Sequence, residues 1–340
     1  MASQFTASII LCTRSRVAGL KQTLLALGRV KVPFAWKVEL VVVDNASTDN
    51  TAEVVQATKL SQIEVQYFYE PRKGKANALN TGLARARGDI LLFIDDDVQV
   101  AEDWLAQIGD PILSGKYDVV TGQITLAPEL LRPWMTPMHR WWLASSNDAQ
   151  LHEGKRELIG ANMGFRREVL ERVPAFDPEL GPGARGLGED SLFGWQLVEA
   201  GYKIEYLPNA IVFHHLDETR LCRCHWLEDA RKRGRSDAYT IHHWEHSDVK
   251  NPRWSRLLLW MKLLVKRILQ PPPRLEEEGC ARWELGYVWR MELCKQFCLD
   301  RKQPRNYLRR GLKKIGIPKN IFTGTLQDAP KQFETKTIIL

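Results

Sequence analysis

The chain has 340 residues, 44% of them hydrophobic and 26% charged, with a formal net charge of +7. This composition supports a packed core and excludes a disordered or fibrous chain, and the length suits one large domain with an extension or two modest ones. Residues 1–216 hold 22 Lys and Arg against 26 Asp and Glu, whereas residues 217–340 hold 26 against 15, so the basic excess lies in the C-terminal third, where it implies either an anionic partner or a solvated basic face.

The cysteines (Cys12, Cys222, Cys224, Cys280, Cys294 and Cys298) form no disulfide framework in a chain of this length, which points to reduced thiols in a cytoplasmic protein. Cys222-Arg223-Cys224-His225 has the wrong spacing for paired zinc hooks. The apolar run at 8–12 is too short for a signal core, and no stretch reaches the roughly 18 apolar residues of a membrane span. A chain that does not cross a bilayer is expected.

In chain order, residues 7–12 read as a buried strand, and 17–27 as a helix with Leu20, Leu24 and Leu27 on one face. Residues 38–43 are a β-branched second strand and 51–60 a helix. Residues 63–69 alternate as a third strand, 75–86 form a helix stopped at Gly88, and 90–94 and 119–126 are further strands. The alternation argues for an α/β fold with a mostly parallel sheet covered by helices on both faces. A strand over 158–166, helices over 168–172 and 190–201, a flexible glycine-rich loop over 181–188 and short strands over 203–207 and 210–213 follow. Beyond Glu218 the pattern is helical over about 219–247, 254–269 and 276–299, with Pro271-Pro272-Pro273 marking a turn. The expected division is a sheet domain over 1–218 and a basic, mainly helical extension over 219–340.

Ligands of such sheets sit beyond the carboxyl ends of the strands, and three strand ends carry polar groups: Thr13-Arg14, Asp44-Asn45 and Asp95-Asp96-Asp97. Three adjacent carboxylates repel one another, and a hard divalent cation offsets that repulsion. Asp44 can accept a hydrogen bond from a base or ribose, since Ser47 is available to cap the next helix. Gly181-Pro182-Gly183-Ala184-Arg185-Gly186 fits a dinucleotide-binding pattern but neither follows a strand nor opens a helix, so that reading is rejected. Glu189-Asp190 opens a helix behind this loop, and a carboxylate there could take a proton from an attacking hydroxyl. His214 and His215 follow a strand, where one of them could ligate a metal.

The segments SIILCTR, VELVVVDNASTDNT, RKGKANALNTGLARARGDILLFIDDDV, GANMGFRREVL and GEDSLFGWQLVEAGYKIEYLPNAIVFHH run in this order between about residues 7 and 216. Together they resemble the family 2 inverting glycosyltransferases of GT-A fold, in particular bacterial members that build polysaccharides. The resemblance implies that Asp44 contacts the nucleotide base and that Asp95, Asp96 and Asp97 form the DxD-type site with Asp97 on the metal, joined by Asp95. It implies that Asp190 is the catalytic base and His214, or alternatively His215, a metal ligand. Thr13, Arg14, Lys75 and Glu189 complete the expected nucleotide-sugar site. Mn²⁺ or Mg²⁺ is the implied cofactor, a UDP-sugar the favoured donor, and a saccharide or lipid-linked hydroxyl the acceptor. Gly234-Arg235-Ser236-Asp237-Ala238 is similar to a segment of many polysaccharide-building members. Trp134, Trp141 and Trp142 are either core or a stacking surface for a sugar ring.

Two other readings are weaker. A sugar nucleotidyltransferase should carry a glycine-rich loop directly after the first strand, where this chain reads Thr13-Arg14-Ser15-Arg16-Val17. A nucleic-acid-binding protein would need base-stacking or groove-reading elements that the basic tail lacks, so no nucleic acid is expected. A last feature concerns location. Trp254, Leu257, Leu258, Met261, Leu264, Val265, Ile268 and Leu269 form one helical stripe, with Arg253, Arg256, Lys262, Lys266 and Arg267 largely off it. Such a helix either packs on the catalytic domain or lies on an anionic membrane surface, which would put a cytoplasmic protein at the inner face of the plasma membrane.

Overall fold

A computed structural model of the chain describes residues 5–146 and 157–316. The expected extension over 219–340 therefore lies outside the described residues from 317 onward. Eight strands form a single sheet: β1 (Phe5–Thr13), β2 (Val38–Asp44), β3 (Ile63–Tyr69), β4 (Gly88–Asp95), β5 (Val98–Val100), β6 (Val119–Leu126), β7 (Asn162–Arg166) and β8 (Ile204–His214), in the order β3-β2-β1-β4-β7-β6-β8-β5. Helices α1 (Val17–Leu27), α2 (Thr51–Ala57), α3 (Lys75–Arg85), α4 (Trp104–Leu113), α5 (Pro137–Trp142), α6 (Val169–Arg172) and α7 (Glu189–Glu199) connect them.

Strand alternation sorts the core into two layers. Ala7, Ile9 and Leu11 of β1 pack with Leu20 and Leu24 of α1 and with Trp104 and Ile108 of α4. Ile10 and Cys12 face the other way, toward Ala76 and Leu79 of α3 and Phe193 and Leu197 of α7. Because both faces are covered, β1 and β2 read as nearly continuous apolar runs.

The sheet is mostly parallel, as expected, with two antiparallel strands set into it. β1 pairs in parallel with β2 and β4, β2 with β3, and β6 with β8, but β7 runs antiparallel between β4 and β6, and β5 antiparallel to β8. The strand expected over 158–166 begins only at Asn162, because the Gly160 amide donates to the Asp190 carboxylate and not to a neighbouring strand. The two short strands expected over 203–207 and 210–213 are one strand, β8, with a register shift against β6 between Gly122 and Gln123. Helix α4, which holds Pro111 near its end, is not among the expected elements.

Three longer helices follow: α8 (Arg223–Thr240), which continues as a π-type turn over Ile241–Glu245, α9 (Pro252–Leu269) and α10 (Arg282–Asp300). They join the sheet domain through apolar contact and through buried polar groups. Leu126, Ala127 and Leu143 share a cluster with Trp226, Leu227 and Leu285. Asp177 accepts from the Tyr239 hydroxyl at 2.5 Å, the Tyr307 hydroxyl at 2.7 Å and Lys314 Nζ at 2.9 Å. Arg185 reaches Asp300 at 3.0 Å.

Candidate active site

Parallel register aligns the strand ends that the sequence singled out. Thr13 pairs with Asp44, and Cys12 with Asp95, so Thr13, Asp44 and Asp95 lie along one rim of the sheet. The turn after β4 adds Asp96 and Asp97, and the pairing of Val98 with His214 brings the end of β8 alongside. Thr13, the three aspartates and His214 line a cleft of about 510 Å³ together with Arg14, Arg16, Lys75, Trp141, Trp142, Glu189, Asp190 and Arg233.

Each aspartate of the triplet has a different partner. Lys75 Nζ lies 2.5 Å from Asp95 Oδ1 and 3.8 Å from Glu189 Oε1. Asp96 accepts from the Thr13 hydroxyl at 2.7 Å. Arg16 forks across the pair, its Nη1 2.7 Å from Asp96 and its Nη2 2.6 Å from Asp97. His214 Nε2 stands 3.0 Å from the other Asp97 oxygen. Arg16 is the one residue of this arrangement that the sequence reading passed over. Its only signal was a second cation close behind the strand end.

Burial alone would push the Asp97 carboxyl up, but His214 and Arg16 hold it below the usual carboxylate range. Burial raises Asp96 to about 6, opposed by Arg16 and reinforced by the neighbouring Asp97. Burial also raises Glu189, to about 7, reinforced by Asp190 and opposed by Lys75. Lys75 is held protonated against its own burial by Asp95 and Glu189.

The donor set fits a divalent cation in part. His214 Nδ1 can only donate to the Leu143 carbonyl, at 3.0 Å, which fixes the ring and aims Nε2 at Asp97. Without a proton or a cation between them, that nitrogen lone pair and the carboxylate oxygen would repel. Among the described residues, however, no group of three His, Cys, Asp or Glu side chains is gathered as a ready metal cage, and Asp95 is engaged by Lys75. His215 is directed elsewhere, bonding Glu129 at 3.0 Å outside the cleft.

Asp190 sits at the cleft on the first turn of α7, its oxygens accepting from the backbone N–H groups of Gly160 at 2.9 Å and Ser191 at 2.7 Å. Gly188 precedes α7 with φ of 90°, a conformation that a side chain would strain. The glycine-rich segment expected to be a flexible loop is tied at several points. Gly183 passes so near Gly74 that an added Cβ would come within 3.0 Å of its Cα. The Lys75 amide donates to the Pro182 carbonyl, and Ser236 and Arg235 of α8 bond the backbone of Leu187 and Arg185. The Gly234–Ala238 segment thus fastens this loop to α8.

Asp44 departs from expectation. Ser47 was to cap the following helix and leave Asp44 free. Instead Asp44 accepts from the Ser47 amide at 2.8 Å and from the Tyr67 hydroxyl at 2.9 Å, while the Ser47 hydroxyl accepts from the Ser15 amide. Asn45 and not Asp44 lines the cleft. Of the tryptophans, Trp134 belongs to the aromatic cluster around Trp226. Trp141 and Trp142 form one wall of the cleft, stacked by the Arg233 guanidinium at 4.9 and 4.6 Å.

Residues 8–173 match the family model described as glycosyl transferase family 2. The chain is 24% identical over 253 residues to the probable glycosyltransferase YdaM of Bacillus subtilis, covering 69% of this chain and 56% of that protein. It is 26% identical over 190 residues to the poly-β-1,6-N-acetyl-D-glucosamine synthase of Staphylococcus aureus, covering 54% and 44%. It therefore spans about half the length of the curated relatives it matches. Among solved structures, a mannosyltransferase from Pyrobaculum calidifontis in complex with GDP-Man and Mn²⁺ superimposes with a TM-score of 0.53 at 17% identity, over 88% of either chain. S. aureus TarS 1–349 in complex with UDP-GlcNAc does so with a TM-score of 0.50 at 17% identity, over 87% of this chain and 90% of TarS. At such identities the likeness establishes the GT-A fold.

Proposed function

We propose, for a chain that belongs to glycosyl transferase family 2 through residues 8–173, that it moves a sugar from a nucleoside-diphosphate donor to an acceptor hydroxyl in one inverting displacement. The observation that carries this reading is the meeting of two acidic groups across one cleft: Asp95–Asp97 with His214 at the sheet mouth, and Asp190 at the head of α7. The first group is suited to a donor diphosphate and its cation, the second to an acceptor.

In this reading Asp97 and His214 hold Mn²⁺ or Mg²⁺, with Asp95 assisting. When bound, the cation neutralises charge that develops on the departing nucleoside diphosphate. Arg16 must leave Asp97 for that, and an anionic diphosphate within reach gives its guanidinium a new partner. Thr13, Arg14 and Lys75 stand on the donor side, as do Asp96 and Glu189. Asp190, held by two backbone N–H groups, takes the proton of the acceptor hydroxyl as it attacks the anomeric carbon from the far face. A UDP-sugar is the favoured donor, with Asp44 acting on the base from the rim of the sheet. The acceptor is a saccharide or a lipid-linked hydroxyl in polysaccharide assembly at the cytoplasmic face of a membrane.

The test is a panel of nucleotide-sugars with Mn²⁺, scored by thermal shift and by donor hydrolysis, and repeated in excess EDTA. A UDP-sugar should stabilise the protein only when the metal is present. Full turnover in EDTA would overturn the metal assignment, and no response to any nucleotide-sugar would overturn the donor reading.

A further inference from the structure

Among the described residues, helix α9 is the one long element that leaves a broad apolar face uncovered. Pro252 and Leu263 are buried, Ser255, Leu259, Lys266 and Arg267 are half-buried, and every other residue of the helix is exposed. At 3.6 residues per turn the buried positions define a narrow inward face. The opposite side carries Trp254, Leu257, Met261, Leu264, Val265 and Ile268, with Leu258, Trp260 and Leu269 beside them. Trp254 is 68% exposed, Ile268 77% and Leu269 74%. A contiguous apolar surface of this kind marks an interaction site.

Its rim is purely basic. Pro252–Leu269 contains no Asp or Glu, and Arg253, Arg256 and Lys262 are exposed with no acidic partner among the described residues. The other two basic residues serve the fold: Arg267 bonds Glu284 at 2.6 Å, and Lys266 lies 5.7 Å over the Trp283 ring. They fasten α9 to α10 and so keep the apolar side turned outward. Among the described residues no helix is long and apolar enough to cross a membrane.

We propose that α9 is a docking helix for an anionic lipid bilayer, lying in the headgroup region with its tryptophans and aliphatic side chains inserted and Arg253, Arg256 and Lys262 on lipid phosphates. A second copy of the chain fits less well, because a symmetric contact would set these cations near their own counterparts with no acid between them. The surface lies on a separate helix from the acidic cleft, so its test is independent of the transfer reaction.

The full chain is sedimented with vesicles of phosphatidylcholine mixed with phosphatidylglycerol, and with phosphatidylcholine alone. It should pellet with the mixed vesicles, and less at high salt. Joint neutralisation by Arg253→Gln, Arg256→Gln and Lys262→Gln should weaken partitioning roughly a hundredfold, about fivefold per charge. Leu257→Asp with Ile268→Asp should abolish it. All five side chains are exposed, so an unchanged melting temperature serves as the folding control. Equal pelleting with both vesicle types, no pelleting at all, or pelleting indifferent to both sets of variants would overturn the proposal. So would a concentration-dependent dimer that the Leu257→Asp, Ile268→Asp variant dissolves without any vesicle binding.

Discussion

The sheet mouth and helix α9 are built on opposite plans. At the mouth, charge is buried: Asp96 and Asp97 are 4% and 6% exposed, and each oxygen that faces inward is met by Thr13, Arg16 or His214. On α9, apolar side chains are exposed and the charges surround them. Burying carboxylates is costly unless they are paired, and exposing a broad apolar face is costly unless something covers it. Both regions are therefore incomplete in the free protein. The mouth has cations that an anionic donor can draw away, and α9 has a surface that a bilayer can cover. If the contrast is right, changes at the mouth alter chemistry with little effect on membrane partitioning, and changes on α9 do the reverse.

The largest effect is expected at Asp190. Asp190→Asn should lower transfer by roughly 10²–10⁴-fold, the usual worth of general-base catalysis, with the donor KM unchanged. The amide would place N–H₂ against either the Gly160 or the Ser191 N–H, so a thermal melt must accompany the kinetics. Transfer at the normal rate by a folded variant would move the base elsewhere, with Glu189 the next candidate. Next comes Asp97→Ala, for which a loss of about 10²–10³-fold is expected, as when one preorganised contact to developing charge is removed. It should also abolish the metal-dependent thermal shift with the donor. His214→Ala should lose less, since the carboxylates carry most of the charge opposing a cation. A larger loss for His214→Ala than for Asp97→Ala would break that ranking.

How much of this was legible in the sequence follows from the same contrast. The β1, β2 and β4 segments could be read because two-sided burial makes them nearly unbroken apolar runs, β3 at the sheet edge because it alternates, and the carboxylates stood out as acids directly behind the buried runs. Partners across the chain could not be read. Arg16 looked like any surface arginine because its contacts lie 80 residues away. Asp44 looked free because Tyr67, which holds it, is supplied by the neighbouring strand. The position of β7 was illegible for a further reason: an antiparallel strand inserted between β4 and β6 is set by tertiary packing, and its own residues carry no mark of direction. On α9 the stripe was plain, but periodicity alone does not say whether a stripe faces inward or outward. The Arg267–Glu284 pair and the Lys266–Trp283 contact supply the orientation.

A third prediction tests whether the two regions share one folding unit. Asp177 is buried and holds Tyr239, Tyr307 and Lys314. Asp177→Ala takes this acceptor from both hydroxyls and leaves Lys314 with Glu179 alone, and should cost about 3–5 kcal/mol in denaturant unfolding. A loss below about 1 kcal/mol, or a C-terminal transition separated from the first, would mean that the helices fold on their own. A fourth concerns pH. Glu189 sits at about 7 in the fold against an ordinary 4.5, so between these values the folded state binds the extra proton. Stability from this group is present at the acid end and lost as pH rises through about 7. Glu189→Gln should flatten that slope and raise stability at pH ~8 by on the order of 1–3 kcal/mol. Melting curves across this range check it, and an unaltered slope would show that Lys75 fully offsets the burial.

The smallest effect expected is at the rim of the sheet, where Asp44 is held by Ser47 and Tyr67. Tyr67→Phe removes one hydrogen bond, from the hydroxyl to Asp44 Oδ2, and should cost about 1 kcal/mol of stability. Its value lies in the direction of the binding change. If Asp44 serves the donor base only through its remaining lone pairs, freeing Oδ2 gives the base a second acceptor, and UDP affinity should hold or rise. If the Tyr67 bond instead fixes the carboxylate in its working orientation, affinity should fall by up to about tenfold, the equivalent of one hydrogen bond. Titration of UDP into the two proteins at matched metal concentration separates these outcomes. Asp44→Ala in the same titration gives the reference: if it binds UDP as tightly as the parent, Asp44 has no part in the donor site, and its place at the end of β2 belongs to the fold alone.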